Sequence, residues 1–117
     1  ITYEKLINYL DFLFYYYPKY PLLSTEKLRN AIKYRYSNWK NLNDTSENLN
    51  NLDKAGGDFL FTCPTVNFAD YYSKKSLKVF VYLLTQVNSK PYWPSWAGAM
   101  HSDEIFYILG YGIPPYS

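Results

Sequence analysis

His101 is the only histidine and Cys63 the only cysteine of the 117-residue chain, so proton transfer near neutral pH and thiol chemistry each have one place to reside. Imidazole suits the first task because its ordinary pKa lies near neutrality, which lets it take a proton and return it within one catalytic cycle. Around it runs Trp93-Pro94-Ser95-Trp96-Ala97-Gly98-Ala99-Met100-His101-Ser102-Asp103-Glu104-Ile105, with two indoles before the histidine and two carboxylates after it. By spacing alone the plainer reading prevails, in which a lone loop histidine is structural and nearby tryptophans pack. One histidine and one cysteine far apart do not make a structural zinc site, so no metal is expected. Gly56-Gly57 lacks both the spacing and the lysine of a phosphate loop. Cys63 leaves three readings open: a buried apolar thiol, a reactive one, or half of a disulfide whose partner lies elsewhere.

Composition narrows the class. An apolar share of 48% excludes a wholly disordered chain. The 12 basic and 10 acidic residues are interspersed, which leaves no polybasic patch to grip phosphates, so nucleic-acid binding is not expected. Fifteen tyrosines can line a core or a gorge while keeping their hydroxyls wet. No run of about 18 apolar residues is present to make a transmembrane helix. The chain starts at Ile1 without a basic-then-apolar leader, so any targeting segment is expected outside it. Asn43-Asp44-Thr45 is a glycosylation sequon, which makes Asn43 a candidate acceptor in a secreted protein.

The elements that would position these groups follow from periodicity. Leu6, Ile7, Leu10, Leu13 and Phe14 recur at three and four, which predicts an amphipathic helix over 2–16, capped by Thr2 and closed by Pro18. A second helix is expected from Ser24 or Thr25 to about Trp39, with Leu28, Ala31, Ile32 and Tyr36 on one face and Lys27, Arg29 and Lys33 in water. Residues 40–57 read as an Asn- and Asp-rich loop, then a short helix on Leu49, Leu52 and Ala55. The next helix should start near Cys63, because Pro64 is tolerated only in a first turn. Residues 78–86 are apolar on both faces, as in a strand buried within a sheet, and such a strand needs neighbours. Residues 87–101, with Pro91, Pro94 and Gly98, predict an ordered loop. Ser102 would then cap a short helix that holds Asp103 and Glu104 in its first turn and stops at Gly110. No repeat or linker divides the chain.

Two stretches together resemble type-B carboxylesterases and cholinesterases. In that family a Trp-Pro-x-Trp run leads to the catalytic histidine and then to an acidic residue and Ile, as Trp93 to Trp96, His101, Glu104 and Ile105 do here. Gly57-Asp58-Phe59-Leu60-Phe61-Thr62-Cys63-Pro64 is similar to the family's Gly-Asp-x-x-Phe-x-Cys segment. The resemblance is specific over 57–110 and loose over 1–56. It implies an α/β fold, part of an α/β-hydrolase and incomplete in this chain, with residues 79–85 as a late sheet strand. Residues 1–117 would then be one partial catalytic domain, truncated at both ends.

For the site, the resemblance implies that His101 is the general base and acid of a serine esterase. It places Trp93 in a choline-binding pocket, where an aromatic face attracts a quaternary ammonium. Trp96 is expected to pack. Glu104 is expected either to stabilise the imidazolium or simply to favour the helix start. Cys63 matches a cysteine that forms a long disulfide with a partner beyond Ser117. Vertebrate cholinesterases carry Gly then Tyr after the histidine, whereas Ser102 and Asp103 stand here. The family's Gly-x-Ser-x-Gly nucleophile motif does not occur in this chain, and the family's acid, a Glu upstream of this region, is not found either, so the chain alone is not expected to hydrolyse esters. The implied partner is a small-molecule ester, a choline ester first, with no cofactor. The parent would be secreted or extracellular, at the cell surface or synapse, with membrane anchoring and homo-oligomerisation allowed. The alternative is a cholinesterase-like adhesion domain that kept the fold and lost the nucleophile.

Overall fold

The computed structural model describes residues 1–16, 25–87 and 93–110. They belong to two units, Ile1–Val79 and Phe80–Ser117. The expected stop at Pro18 and the loop proline Pro91 lie outside the described residues.

In the first unit, α1 (Tyr3–Tyr16) carries Leu6, Leu10 and Leu13 on one stripe, and all three are buried. Each such leucine contributes about 1.5–3 kcal/mol through removal of its surface from water. Thr2 caps the helix as expected, its hydroxyl accepting from the Lys5 N–H at 3.3 Å. The second helix, α2 (Glu26–Arg35), starts on Thr25, whose hydroxyl accepts from the Leu28 N–H at 3.4 Å. It ends at Arg35, short of the expected Trp39. Side chains take over its last carbonyls: Ser37 Oγ donates to the Lys33 carbonyl at 2.6 Å and Trp39 Nε1 to that of Tyr34 at 2.9 Å. Those bonds satisfy groups that a longer helix would otherwise have to cover. Lys33 is not simply solvated either, because it pairs with Asp11 of α1 at 2.7 Å.

The expected short helix is the longer α3 (Thr45–Gly57). Its overlooked start signal is Asp44, whose carboxylate accepts from the N–H groups of Ser46 and Glu47 at 3.1 and 3.0 Å. Ala55 of this helix closes the leucine core of α1, and Leu52, Ile32 and Tyr36 pack around it. Asn48 is buried beside that core, its amide donating to the Leu42 carbonyl at 2.9 Å.

Gly56 and Gly57 do not break the helix. Gly57 keeps helical angles, and the chain continues through a wide π turn, Asp58–Thr62, into α4 (Cys63–Ser73). Pro64 supplies the reason: it has no N–H, and its ring would strike the carbonyl of Leu60 in a regular helix. Widening the preceding turn accommodates both, and the Cys63 N–H reaches back five residues to the Asp58 carbonyl. Pro64 thus sits in the first turn of α4, as its chemistry requires.

Residues 77–87 correct the strand expectation, for they carry no regular secondary structure, and Phe80 and Leu83 stand 91% and 84% exposed. A strand pairs its N–H and C=O groups only with a neighbour, and no described residue provides one. The described residues are helical, so the sheet half of the expected α/β fold is not seen among them. None of the described helices is long and apolar enough to cross a membrane.

The second unit holds a 3-10 turn, Ser95–Ala97, and the short α5 (Glu104–Ile108), which stops two residues before Gly110, whose φ is 72°. Ser102 does not cap α5. It takes φ 75°, and Asp103 is the residue at the helix boundary.

Candidate active site

His101 occupies the turn before α5 and is exposed. The Asp103 N–H donates to the Met100 carbonyl at 3.1 Å, closing a four-residue turn with His101 second and Ser102 third. A positive φ at the third position is what a type II turn requires, and it favours glycine. The same two ends are tied a second time, as the Met100 N–H donates to Asp103 Oδ2 at 2.8 Å. The Ser102 carbonyl then accepts from the Ile105 N–H at 3.1 Å, so the turn runs directly into the helix.

Glu104 is half-buried in the first turn of α5. His101, Asp103 and Glu104 thus share one junction, and Trp93, 49% exposed, lies on the preceding loop of the same unit. Trp96 is 65% exposed, which corrects the expectation that it packs: an indole buried against a neighbour would lose that area, and nothing described covers it. An exposed base with an aromatic face upstream can exchange protons with a bound molecule and attract a cation.

Cys63 and Asn43 belong to the first unit. Cys63 is exposed and unbridged among the described residues. Asn43 is exposed in the turn before α3. Asp58, from the same stretch as Cys63, accepts a hydrogen bond from the Tyr36 hydroxyl at 2.7 Å, tying α2 to the π turn. Burial, with the Asp58 bond and charge adding to it, pushes the Tyr36 pKa up to about 12. A cleft of about 570 Å3 between α1 and α2, lined by Asp11, Glu26, Arg29 and Lys33, holds none of the expected site residues. Among the described residues, no three His, Cys, Asp or Glu side chains gather as a metal site would need.

Sequence reasoning missed the hydrogen bond that Asp103 accepts from the Met100 N–H, reading the residue as a favourable charge at a helix start and as a departure from the vertebrate pattern. No local signal announced it, because Ser102 is not glycine, the residue type that left-handed backbone favours.

The sequence pattern of the carboxylesterase family matches residues 3–116, so the loosely similar first half is included. The acetylcholinesterase of Leptinotarsa decemlineata is 37% identical over 83 residues, 71% of this chain and 13% of that protein. That of Bungarus fasciatus is 33% identical over 107 residues, 92% of this chain and 18% of that protein. That of Gallus gallus is 32% identical over 92 residues, 79% of this chain and 12% of that protein. The chain therefore spans less than a fifth of the length of these relatives. No solved structure matches it. With its histidine turn and its Gly-Asp-x-x-Phe-x-Cys segment inside a match that takes in nearly every residue, the chain belongs to the carboxylesterase family.

Proposed function

We propose that this chain is part of a longer secreted serine esterase that hydrolyses acetylcholine or a related ester, and that it contributes the general base and acid, His101. The observation that carries the proposal is an exposed histidine on a tied turn before a helix, in a chain of this family. The serine hydroxyl, supplied by the rest of the protein, attacks the ester carbonyl while His101 takes its proton. Collapse of the tetrahedral species expels the alcohol, which receives that proton from His101. Water then repeats the sequence on the acyl-serine, releasing the acid and restoring the enzyme.

Trp93 attracts the quaternary ammonium of a choline ester through its ring face. Glu104 stabilises the imidazolium that forms at His101. Cys63 pairs with a cysteine elsewhere in the protein, for which its exposure leaves it accessible. Asn43 carries a glycan. The two units are parts of one catalytic domain, and the chain alone, without a Gly-x-Ser-x-Gly motif, hydrolyses nothing.

In the full-length protein, His101→Ala should lower kcat on the order of 10³-fold or more while the fold persists. Turnover near that of the wild type in a folded variant sinks the assignment.

A further inference from the structure

We propose that Asp103 is a positioning residue for His101, acting through its carboxylate clamp on the Met100 backbone. The inference rests on the esterase reading above and concerns how its base is held. His101 sits at the second position of a turn whose third residue, Ser102, has φ 75°. A side chain other than glycine disfavours that conformation, so this turn tends to open. Opening it would swing the imidazole, since His101 lies between the two turn ends. Asp103 opposes this in two ways. Its N–H donates to the Met100 carbonyl at 3.1 Å, and its Oδ2 accepts from the Met100 N–H at 2.8 Å. The first bond is available to any residue but proline at 103, whereas the second needs a short acceptor side chain there. A carboxylate engaged in this way acts on the geometry of the base rather than on the substrate.

The test is kinetic and uses the full-length enzyme, with active sites counted by stoichiometric covalent inhibition and with a cationic and a neutral ester of equal size. D103A should lower kcat about 10- to 100-fold on both esters, the loss expected when a reacting group is displaced by about an ångström, with KM almost unchanged. D103N, whose amide oxygen can accept the same bond, should stay within fivefold of wild type on both esters. In an S102G background, where glycine takes the left-handed conformation freely, D103A should cost only a few-fold.

A loss that appears only as fewer active sites overturns the proposal, because it reports folding alone. So does a KM rise confined to the cationic ester in both D103A and D103N, which would make Asp103 a charge for the substrate. Equal losses from D103A with and without S102G overturn it as well. Where D103A does not fold, D103N decides: a loss greater than fivefold overturns the clamp. His101→Ala is run alongside. If that variant turns over normally, the esterase reading fails; if it is inactive while the Asp103 series is flat, only the clamp fails.

Discussion

In α1, Leu6, Leu10 and Leu13 are buried against Ala55 of α3, whereas Phe80 and Leu83, equally apolar, stand 91% and 84% exposed. The difference lies in what each element needs from its surroundings. A helix satisfies its backbone internally and requires only a facing surface for one stripe, which α3 provides within the same unit. Residues 78–86 read as a strand apolar on both faces, and such a strand needs neighbouring strands in its plane as well as covers above and below. The helical unit is thus where this chain supplies its own stability. The histidine turn lies in the other unit, on the loop that runs into α5.

The sharpest separation of the two comes from the core. Leu10→Ala in the full-length protein should cost about 2–5 kcal/mol, the range for a buried leucine and the cavity it leaves. Denaturant midpoints would show it, with kcat per active site unchanged. A fall in kcat at unchanged stability would break the division of roles.

Trp93→Ala is the reverse case. Cation-π attraction contributes about 0.5–2 kcal/mol and acts only on the charged substrate, so KM should rise roughly 2- to 30-fold more for a choline ester than for a neutral ester of equal size. Equal losses on both would reduce Trp93 to packing.

A smaller effect belongs to the Tyr36–Asp58 bond. Tyr36→Phe should cost about 1 kcal/mol below pH 10. The folded-state pKa of Tyr36 is raised from 10.0 to about 12, so the folded chain holds that proton more tightly than the unfolded one. Its contribution is therefore full below pH 10 and is lost as pH rises towards 12. Wild type should lose stability across that window faster than Tyr36→Phe, and parallel curves would show that the bond does not form.

Much of the helical unit was legible because its signals are local. The leucine spacing of α1, the Thr2 and Thr25 caps and Pro64 in a first turn each depend on residues within a turn or two. Three features were not. The early end of α2 comes from Ser37 and Trp39 taking its carbonyls, competition that a periodicity cannot register. The passage through Gly56-Gly57 depends on a π turn that follows from Pro64 further on. The pairing of Lys33 with Asp11 depends on how α1 and α2 meet, so a surface pattern read as solvation. At the site, His101 and its place before a helix were legible, whereas the clamp by Asp103 was not, because it depends on the left-handed backbone of Ser102.

The claim that His101 is the proton carrier is tested most directly by chemical rescue. His101→Ala of the full-length protein leaves room where the ring stood, and added imidazole can stand in for the lost base. Turnover per active site should rise with imidazole concentration, above the background of imidazole alone, from a level on the order of 10³-fold below wild type. A folded His101→Ala protein that turns over like wild type, or one that binds ester yet gains nothing at any imidazole concentration, would contradict the account.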